Sequence, residues 1–139
     1  THSRGNSESM NSLATYDDVV EDVREELLIR TELAINSGIR QEQLLWDPGL
    51  GFAKSTEHNL SILHNLEIFT SEGYPLLVGP SRKRFVGDVT QQSNPSERLL
   101  GTAAVVCRCV QAKVAMVRVH DVSAISQTLK MAAKLWKGR

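Results

Sequence analysis

Three short apolar runs, each closed at once by glycine, proline or polar residues, most constrain how this chain folds. They lie at 44–46, 76–78 and 114–119, and amphipathic segments separate them. Within each run the side chains stay apolar instead of alternating with polar ones, so each run is expected to be a strand buried on both faces. The order helix-strand-helix-strand-helix-strand-helix predicts an α/β fold with a parallel sheet covered by helices. Two architectures fit this order, a doubly wound sheet or part of a (β/α)8 barrel.

Helix boundaries are marked by capping residues and by apolar side chains at helical spacing. A capping box at 15–18 predicts a first helix to about residue 37, with Gly38 as its left-handed cap. A second helix is predicted from about 57 to 71. The sequence Asn-Pro-Ser-Glu at 94–97 predicts the start of a third, and Ser123 is predicted to cap the last.

Charge balance and hydropathy exclude several classes of function. The 139 residues include 16 Lys plus Arg and 16 Asp plus Glu, so the net charge is zero. We therefore expect neither nucleic acid nor a membrane as partner. No apolar run is long enough to span a bilayer, and the polar start resembles no signal peptide, so we expect a cytoplasmic or mitochondrial protein. The missing initiator Met suggests a fragment of a longer protein.

Polar and glycine-rich residues follow directly after each predicted strand. Asp47 closes the first strand, Ser81 and Lys83 follow the second, and Arg118 with His120 closes the third. Because the carboxyl ends of parallel strands meet at one edge of a sheet, we expect these side chains to surround a common ligand. No spacing typical of metal ligands is present, so no metal site is expected among these residues.

Each group has a functional and a purely structural interpretation. Asp47 either accepts hydrogen bonds from ligand N–H groups or caps its own turn. The basic segment 81–84 either places Lys83 against a ligand carbonyl or is a solvated loop. Arg118 with His120 either clamps phosphate oxygens, or the arginine pairs internally with Asp121 or another carboxylate.

The loops at 47–54, 79–87 and 118–122 resemble, in this order, three motifs of the dihydropteroate synthase family. In this chain they are Asp-Pro-Gly-Leu-Gly-Phe-Ala-Lys, Gly-Pro-Ser-Arg-Lys-Arg-Phe-Val-Gly and Arg-Val-His-Asp-Val, and the stretch 2–5 resembles a fourth. The second motif is most similar to fungal and plant members, which are usually fused to other folate-pathway domains. The resemblance covers essentially all of residues 1–139. It implies the carboxy-terminal portion of a pterin-binding (β/α)8 barrel, supplying strands six to eight.

The resemblance implies that the enzyme condenses 6-hydroxymethyl-7,8-dihydropterin diphosphate with p-aminobenzoate and releases pyrophosphate. By this similarity the residues that bind the pterin diphosphate are Asp47, Gly51, Lys83, Arg118 and His120. The residues implied in catalysis are Lys83, Arg118 and His120. Those implied in binding p-aminobenzoate are Phe52, Ser81 and Lys83.

The resemblance also implies features outside this chain. It implies Mg²⁺, with its ligand expected upstream, and a homodimer of the full-length enzyme. Half a barrel exposes two strand edges and half a core, so we expect it to be unstable or to associate when alone. We also expect little or no catalysis from this chain by itself. Lys113 stands where the family often has Gly, which weakens that helix cap. Two alternatives stay open: a truncated, non-catalytic segment that associates with a partner chain, and another pterin-binding barrel enzyme such as a methyltetrahydrofolate methyltransferase.

Overall fold

The part of the chain that the structure describes contains six α-helices and two short strands, and helices separate the strands. The computed structural model describes residues 1–6, 8–10 and 12–136. In chain order the elements are α1 (Val19–Asn36), α2 (Thr56–His64), α3 (Leu66–Thr70), β1 (Leu77–Val78), α4 (Arg84–Thr90), α5 (Leu99–Gln111), β2 (Met116–Val117) and α6 (Val122–Trp136), with single 3₁₀ turns at Gln41–Gln43 and Pro95–Glu97.

The strand segments are parallel and follow chain order, which confirms the predicted parallel sheet. β1 pairs with β2, with Leu77 opposite Met116. On the other side of β1, Trp46 forms an isolated parallel bridge to Leu76. The strands are shorter than predicted, because pairing in the first run is limited to Trp46 and pairing in the third to two residues.

The hydrophobic core lies between β1 and the helices that precede and follow it. Its largest fully buried members include Phe69, Leu66, Ile62 and Leu76. The expectation that every strand is covered on both faces is wrong at β2, where Met116 is 53% exposed. An apolar groove of about 370 Å³ runs beside this strand towards α6. The last strand of the sheet, β2, is therefore left uncovered on one side.

The first helix begins three residues later than predicted. The carboxylate of Asp18, not the hydroxyl of Thr15, caps α1 by accepting from the backbone N–H groups of Val20 and Glu21. Aspartate is a better cap than threonine, and at this position the helix begins directly with buried valines. At the other end Gly38 has φ +92° and closes the helix as predicted.

Three further helix predictions need correction, and one helix was not predicted. The segment 94–97 forms a separate 3₁₀ turn at Pro95–Glu97, and α5 begins only at Leu99. The predicted helix from 57 to 71 is interrupted at Asn65, whose backbone leaves the helical region (φ −112°, ψ 28°). Ser123 lies inside α6 instead of capping it. Helix α4 was not predicted, and Arg84 begins it, so the segment 81–84 is only partly a loop. The glycine inside α4, Gly87, obscured the helix, although a Cβ there would lie 2.5 Å from Arg98 Nε, so close packing requires the glycine.

Lys113 gives a testable prediction for stability. It has φ +60° directly after α5, where its N–H bonds to the Val110 carbonyl and the next N–H bonds to the Cys109 carbonyl. This is a Schellman ending, which favours glycine because other residues are strained there. We expect Lys113→Gly to raise the free energy of unfolding by about 0.5–1 kcal/mol in urea titrations. Lys113→Ala keeps the strain and should bring no gain; an equal gain from both variants would contradict the explanation.

Candidate functional site

Four of the predicted site residues line one open cavity at the strand ends. The cavity measures about 410 Å³, and its lining includes Ser81 and Lys83 from the loop after β1 and Arg118 and His120 from the end of β2. The pairing of β1 with β2 brings the two loops together. The sequence prediction that these side chains converge is therefore confirmed for these four.

Ser81 links the two loops by hydrogen bonds to His120. The serine is 6% exposed, and its Oγ accepts the backbone N–H of His120 at 3.1 Å. The same Oγ lies 2.9 Å from His120 Nδ1. These bonds fix the imidazole and leave its other nitrogen, Nε2, available to a ligand. The predicted contact of Ser81 with p-aminobenzoate stays a prediction.

Arg118 lines the cavity without the internal partner that the structural interpretation proposed. Asp121 instead forms a bidentate salt bridge with Arg82, with distances of 2.8 Å from Nη2 to Oδ1 and 3.2 Å from Nε to Oδ2. The Arg82 guanidinium holds the pKa of Asp121 below its usual range. Within residues 1–6, 8–10 and 12–136, no carboxylate lies within ion-pair distance of Arg118. Its charge therefore remains available to an anion.

Lys83 joins this cavity to the loop 47–55. Its Nζ lies 4.1 Å from the centre of the Phe52 ring, a cation–π contact. Gly51 has φ +77°, and a Cβ there would lie 3.0 Å from Lys83 Cδ, so glycine permits the close approach. Burial lowers the pKa of Lys83; the charge of Asp47 opposes this shift and that of Arg118 adds to it. The charges of Lys83, Asp47 and Arg118 therefore influence one another across the cavity and the loop.

Asp47 caps its own turn and does not line the 410 Å³ cavity. Its Oδ1 accepts the backbone N–H of Gly49 at 2.8 Å, as the structural interpretation predicted. Among the described residues, its Oδ2 accepts only a long hydrogen bond, 3.3 Å, from the Thr1 hydroxyl. One carboxylate oxygen is therefore committed to the turn and the other is largely available. The predicted role of Asp47 in binding pterin N–H groups stays a prediction.

A buried polar cluster behind the loop was missed at the sequence level. His2 and Lys54 are both buried, with their side-chain nitrogens Nδ1 and Nζ 2.9 Å apart, and His2 Nε2 lies 2.9 Å from Glu26 Oε2. Arg4 also donates to Glu26, at 2.8 Å from Nε to Oε1. The only sequence signal was that His2 and Lys54 lie within the motifs quoted above without an assigned role.

The hydrogen bonds define the protonation of this cluster. His2 donates from Nε2 to the Glu26 carboxylate and accepts from the Lys54 ammonium at Nδ1, so the imidazole is neutral. Burial lowers the pKa of His2 to about 4, and the Lys54 charge acts in the same direction. Burial likewise lowers the pKa of Lys54 to about 7, against the charges of Asp47 and Glu26.

The lowered pKa of His2 predicts loss of stability in mild acid. The unfolded chain takes up a proton near pH 6.5, whereas the folded one resists protonation until about pH 4. The free energy of unfolding should therefore fall by about 3 kcal/mol between these values, and should be fully retained above pH 6.5. Urea titrations at pH 7.0 and 4.5 measure the change. His2→Gln should flatten this dependence, whereas His64→Gln, at an exposed histidine, should preserve it; identical slopes in both would contradict the assignment.

In the described part of the chain, no group of three or more His, Cys, Asp or Glu side chains is placed to hold a metal ion. Over the same residues, no helix is both long and apolar enough to cross a membrane.

Known proteins match both the sequence and the fold. The dihydropteroate synthase of Synechocystis is 43% identical over 136 residues, 98% of this chain and 47% of that protein. The folic acid synthesis protein fol1 of Schizosaccharomyces pombe is 39% identical over 136 residues, 94% of this chain and 19% of that protein. The dihydropteroate synthase of Thermus thermophilus, solved in complex with 6HMPPP, superposes with a TM-score of 0.89 at 36% identity, over 94% of this chain and 51% of that one. The same enzyme solved with 4-aminobenzoate gives a TM-score of 0.87 at 37% identity, over 92% and 49%.

These matches define the family and its extent in this chain. The chain spans about half the length of the bacterial relatives it matches. The sequence profile of the family described as pterin binding enzyme matches residues 1–120. Since this match covers most of the chain, and since the relatives above are dihydropteroate synthases or a folic acid synthesis protein, the chain belongs to the pterin binding enzyme family.

Proposed function

We propose that the chain forms the carboxy-terminal part of a (β/α)8 barrel and supplies its strands six to eight. The parallel order of Trp46, β1 and β2, with helices between them, supports a barrel arc over a doubly wound sheet, because neighbours in space are also neighbours in sequence. The open apolar groove beside β2 suits a further strand from the rest of the barrel.

The function that the site supports best is dihydropteroate synthesis, with this chain supplying part of the active site. The observation that carries this proposal is that Lys83, Arg118 and His120 line the same cavity. The nearby carboxylate of Asp121 pairs with Arg82 and so does not neutralise Arg118. A cationic cavity of this kind suits a diphosphate. The Thermus relative that superposes on this chain was solved with 6HMPPP and with 4-aminobenzoate, the two kinds of ligand that the proposal requires.

In the proposed mechanism, the bond between the pterin methylene carbon and the diphosphate oxygen ionises and pyrophosphate departs. The amino nitrogen of p-aminobenzoate then bonds to the methylene carbon and loses one proton to pyrophosphate or solvent. Arg118 and His120 hold the departing diphosphate and stabilise the charge that develops on it. Lys83 donates to the pterin carbonyl, and the available Oδ2 of Asp47 accepts from pterin N–H groups. No side chain of this cavity needs to act as a covalent nucleophile.

The p-aminobenzoate subsite is proposed beside Lys83. Phe52 is 37% exposed and contacts the lysine through its ring, which leaves apolar surface for a benzoate ring. Ser81 is committed to His120 by two contacts, so its contribution would come through the orientation of that imidazole. Gly51 keeps the loop close enough for both subsites to share Lys83.

Magnesium, dimerisation and fusion to other folate-pathway domains belong to the same proposal for the full-length protein. The described residues provide no cluster suited to Mg²⁺, so no step of the mechanism is assigned to a metal held by this chain. By the family resemblance, we expect that ligand upstream. A homodimer and a fungal or plant type of domain fusion are likewise expected only of the longer protein.

A hybrid enzyme tests the proposed function directly. In this hybrid, residues 1–139 replace the corresponding half of the Synechocystis relative, with which they share 43% identity. We expect the hybrid to form dihydropteroate from pterin diphosphate and p-aminobenzoate, measured by release of pyrophosphate. A folded hybrid that binds neither substrate would overturn the proposal.

Two alternatives give different results in binding experiments. A methyltetrahydrofolate methyltransferase needs no diphosphate clamp, so titration of the hybrid with pterin diphosphate and with methyltetrahydrofolate separates the two enzymes. A non-catalytic segment that only associates with a partner chain is favoured by the apolar groove beside β2. In that case the chain associates with the amino-terminal half of the Synechocystis relative, but the assembly forms no dihydropteroate.

A further inference from the structure

We propose that Lys54 is the positioning residue of the loop 47–55, which it holds in shape through its ammonium group without touching substrate. The importance of this loop for pterin binding rests on the proposed function. The contacts that define the role of Lys54 do not depend on that function, because they lie wholly within the folded chain.

The side chain of Lys54 is enclosed and its hydrogen-bonding capacity is fully used. It is 4% exposed, and its Nζ lies 3.1 Å from the carbonyl oxygen of Gly49 and 3.0 Å from that of Phe52. The third acceptor is His2 Nδ1 at 2.9 Å. Three acceptors match the three N–H groups of an ammonium, which has no acceptor capacity of its own. The lysine therefore serves an internal structural purpose and is not available as a nucleophile or ligand.

A second charge makes this buried cation tolerable. Removing an ammonium group from water is costly unless hydrogen bonds and an opposite charge compensate for it. The neutral His2 ring connects Lys54 to the Glu26 carboxylate, with 2.9 Å on each side of the imidazole. Arg4 in turn pairs with Glu26 at 2.6 Å from Nη2 to Oε1. The cluster anchors the loop to helix α1, which carries Glu26.

Lys54 binds the carbonyl groups of Gly49 and Phe52, the two loop residues that contact the site residues Asp47 and Lys83. The N–H of Gly49 fixes Asp47 Oδ1 at 2.8 Å, so holding this glycine holds the carboxylate. The ring of Phe52 contacts Lys83 Nζ at 4.1 Å, so holding this backbone holds the cation–π pair. A single ammonium thus connects both contacts.

The backbone between the Phe52 carbonyl and Lys54 itself needs such a restraint. Ala53 has φ +49°, in the left-handed region that residues with a side chain adopt only when their surroundings hold them there. Its carbonyl oxygen accepts the Tyr16 hydroxyl at 2.8 Å. Lys54 therefore restrains the carbonyl before the strained residue, and Tyr16 restrains the carbonyl of that residue itself.

Fluorine NMR on the 139-residue chain tests the proposal without any ligand. The chain has three Phe residues, so labelling with 4-fluorophenylalanine gives signals for Phe52, Phe69 and Phe85. In Lys54→Met we expect the Phe52 signal to move towards the value of the unfolded chain while the other two stay unchanged, because they lie in the core. In the matched control Lys113→Met, at an exposed lysine, all three signals should stay in place. An unmoved Phe52 signal, or movement of all three signals in Lys54→Met, would overturn the assignment.

The wild-type chain provides a test that does not depend on the folding of a variant. With ¹⁵N-labelled lysine, the Lys54 ammonium should give a slowly exchanging Nζ signal at a pH between the pKa of His2, about 4, and that of Lys54, about 7. The signal is assigned by its absence from Lys54→Arg, in which the labelled residue is removed. If no lysine Nζ is protected from exchange, the proposed hydrogen bonds do not exist in solution.

Ligand titration separates the role of Lys54 from the proposed function. In Lys54→Met of the hybrid enzyme we expect the affinity for pterin diphosphate to fall about tenfold or more, while the affinity for inorganic pyrophosphate stays within about twofold. An equal loss for both ligands would contradict a role confined to the loop. If the Phe52 signal moves as expected but the unaltered hybrid binds neither ligand, the proposed function fails and the role of Lys54 stands.

Discussion

Arg118→Ala is expected to lower the rate of dihydropteroate formation by about 100- to 1,000-fold in the hybrid enzyme, the usual cost of removing one group that stabilises a developing charge. Arg118 lines the cavity and, among the described residues, pairs with no carboxylate, so its charge is not otherwise neutralised. Because the negative charge on the leaving diphosphate grows in the transition state, kcat should fall more than KM rises. Steady-state assays of pyrophosphate release measure both constants.

The matched control for this prediction is Arg40→Ala. Arg40 is exposed and, within the described part of the chain, forms an ion pair only with Glu42 of the adjacent 3₁₀ turn, so its loss should leave the rate unchanged. Lys83→Ala should be impaired like Arg118→Ala, but with a clear loss of pterin affinity, because the lysine is proposed to contact the pterin carbonyl. If Lys83→Ala and Arg118→Ala both keep the turnover of the unaltered hybrid, the assignment of the site is wrong.

Gly49→Ala is expected to destabilise the chain by about 3–5 kcal/mol, a large part of the stability of a typical domain. A Cβ on this residue would lie 1.8 Å from the backbone oxygen of His2, and backbone atoms cannot move aside as a flexible side chain can. The turn would have to open, which would also break the hydrogen bond from the Gly49 N–H to Asp47. Urea titrations of the 139-residue chain measure the loss.

Gly73→Ala provides the control for backbone strain alone. Gly73 has φ +84°, similar to the +69° of Gly49, but no atom lies within 4 Å of the position of its Cβ. Its replacement should cost only about 1–2 kcal/mol, the usual penalty for the left-handed region. Equal losses in the two variants would show that strain, and not the contact with His2, explains the glycine at 49.

The architecture of the fold was largely predictable because apolar runs and helix caps are local signals. The parallel sheet and the cap at Gly38 follow from such signals and are confirmed. Helix α4 was not predictable in the same way, since Gly87 argues against a helix locally and is explained by the Gln92 backbone oxygen and the Arg98 side chain, each 2.5 Å from the position of a Cβ. The exposure of Met116 was also missed, because the sequence shows that a strand is apolar but not whether a covering layer is present.

The candidate site was predictable in position but not in its pairings. Strand ends indicated where Ser81, Lys83, Arg118 and His120 would lie, since parallel strands bring their carboxyl ends together. Which side chain pairs with which depends on how separate loops meet. The sequence therefore suggested Asp121 for Arg118, whereas the carboxylate pairs with Arg82, 39 positions earlier.

The pairings within the buried cluster could not be predicted either, because its members lie even further apart in the sequence. His2 and Lys54 are 52 positions apart, and each looks like an ordinary polar residue in its own segment. Nothing local indicates that both are buried or that the imidazole connects the lysine to Glu26. Only the three-dimensional fold brings these groups into one hydrogen-bonded chain.

The pairing of Arg82 with Asp121 also affects how fast an anionic ligand reaches the cavity. By engaging this carboxylate elsewhere, Arg82 leaves Arg118 and Lys83 as a local excess of positive charge on a chain whose net charge is zero. Such a field attracts polyanions over a range set by the Debye length, about 8 Å at physiological ionic strength. Association of a diphosphate should therefore slow as salt is added, whereas association of an uncharged pterin should be nearly insensitive to it.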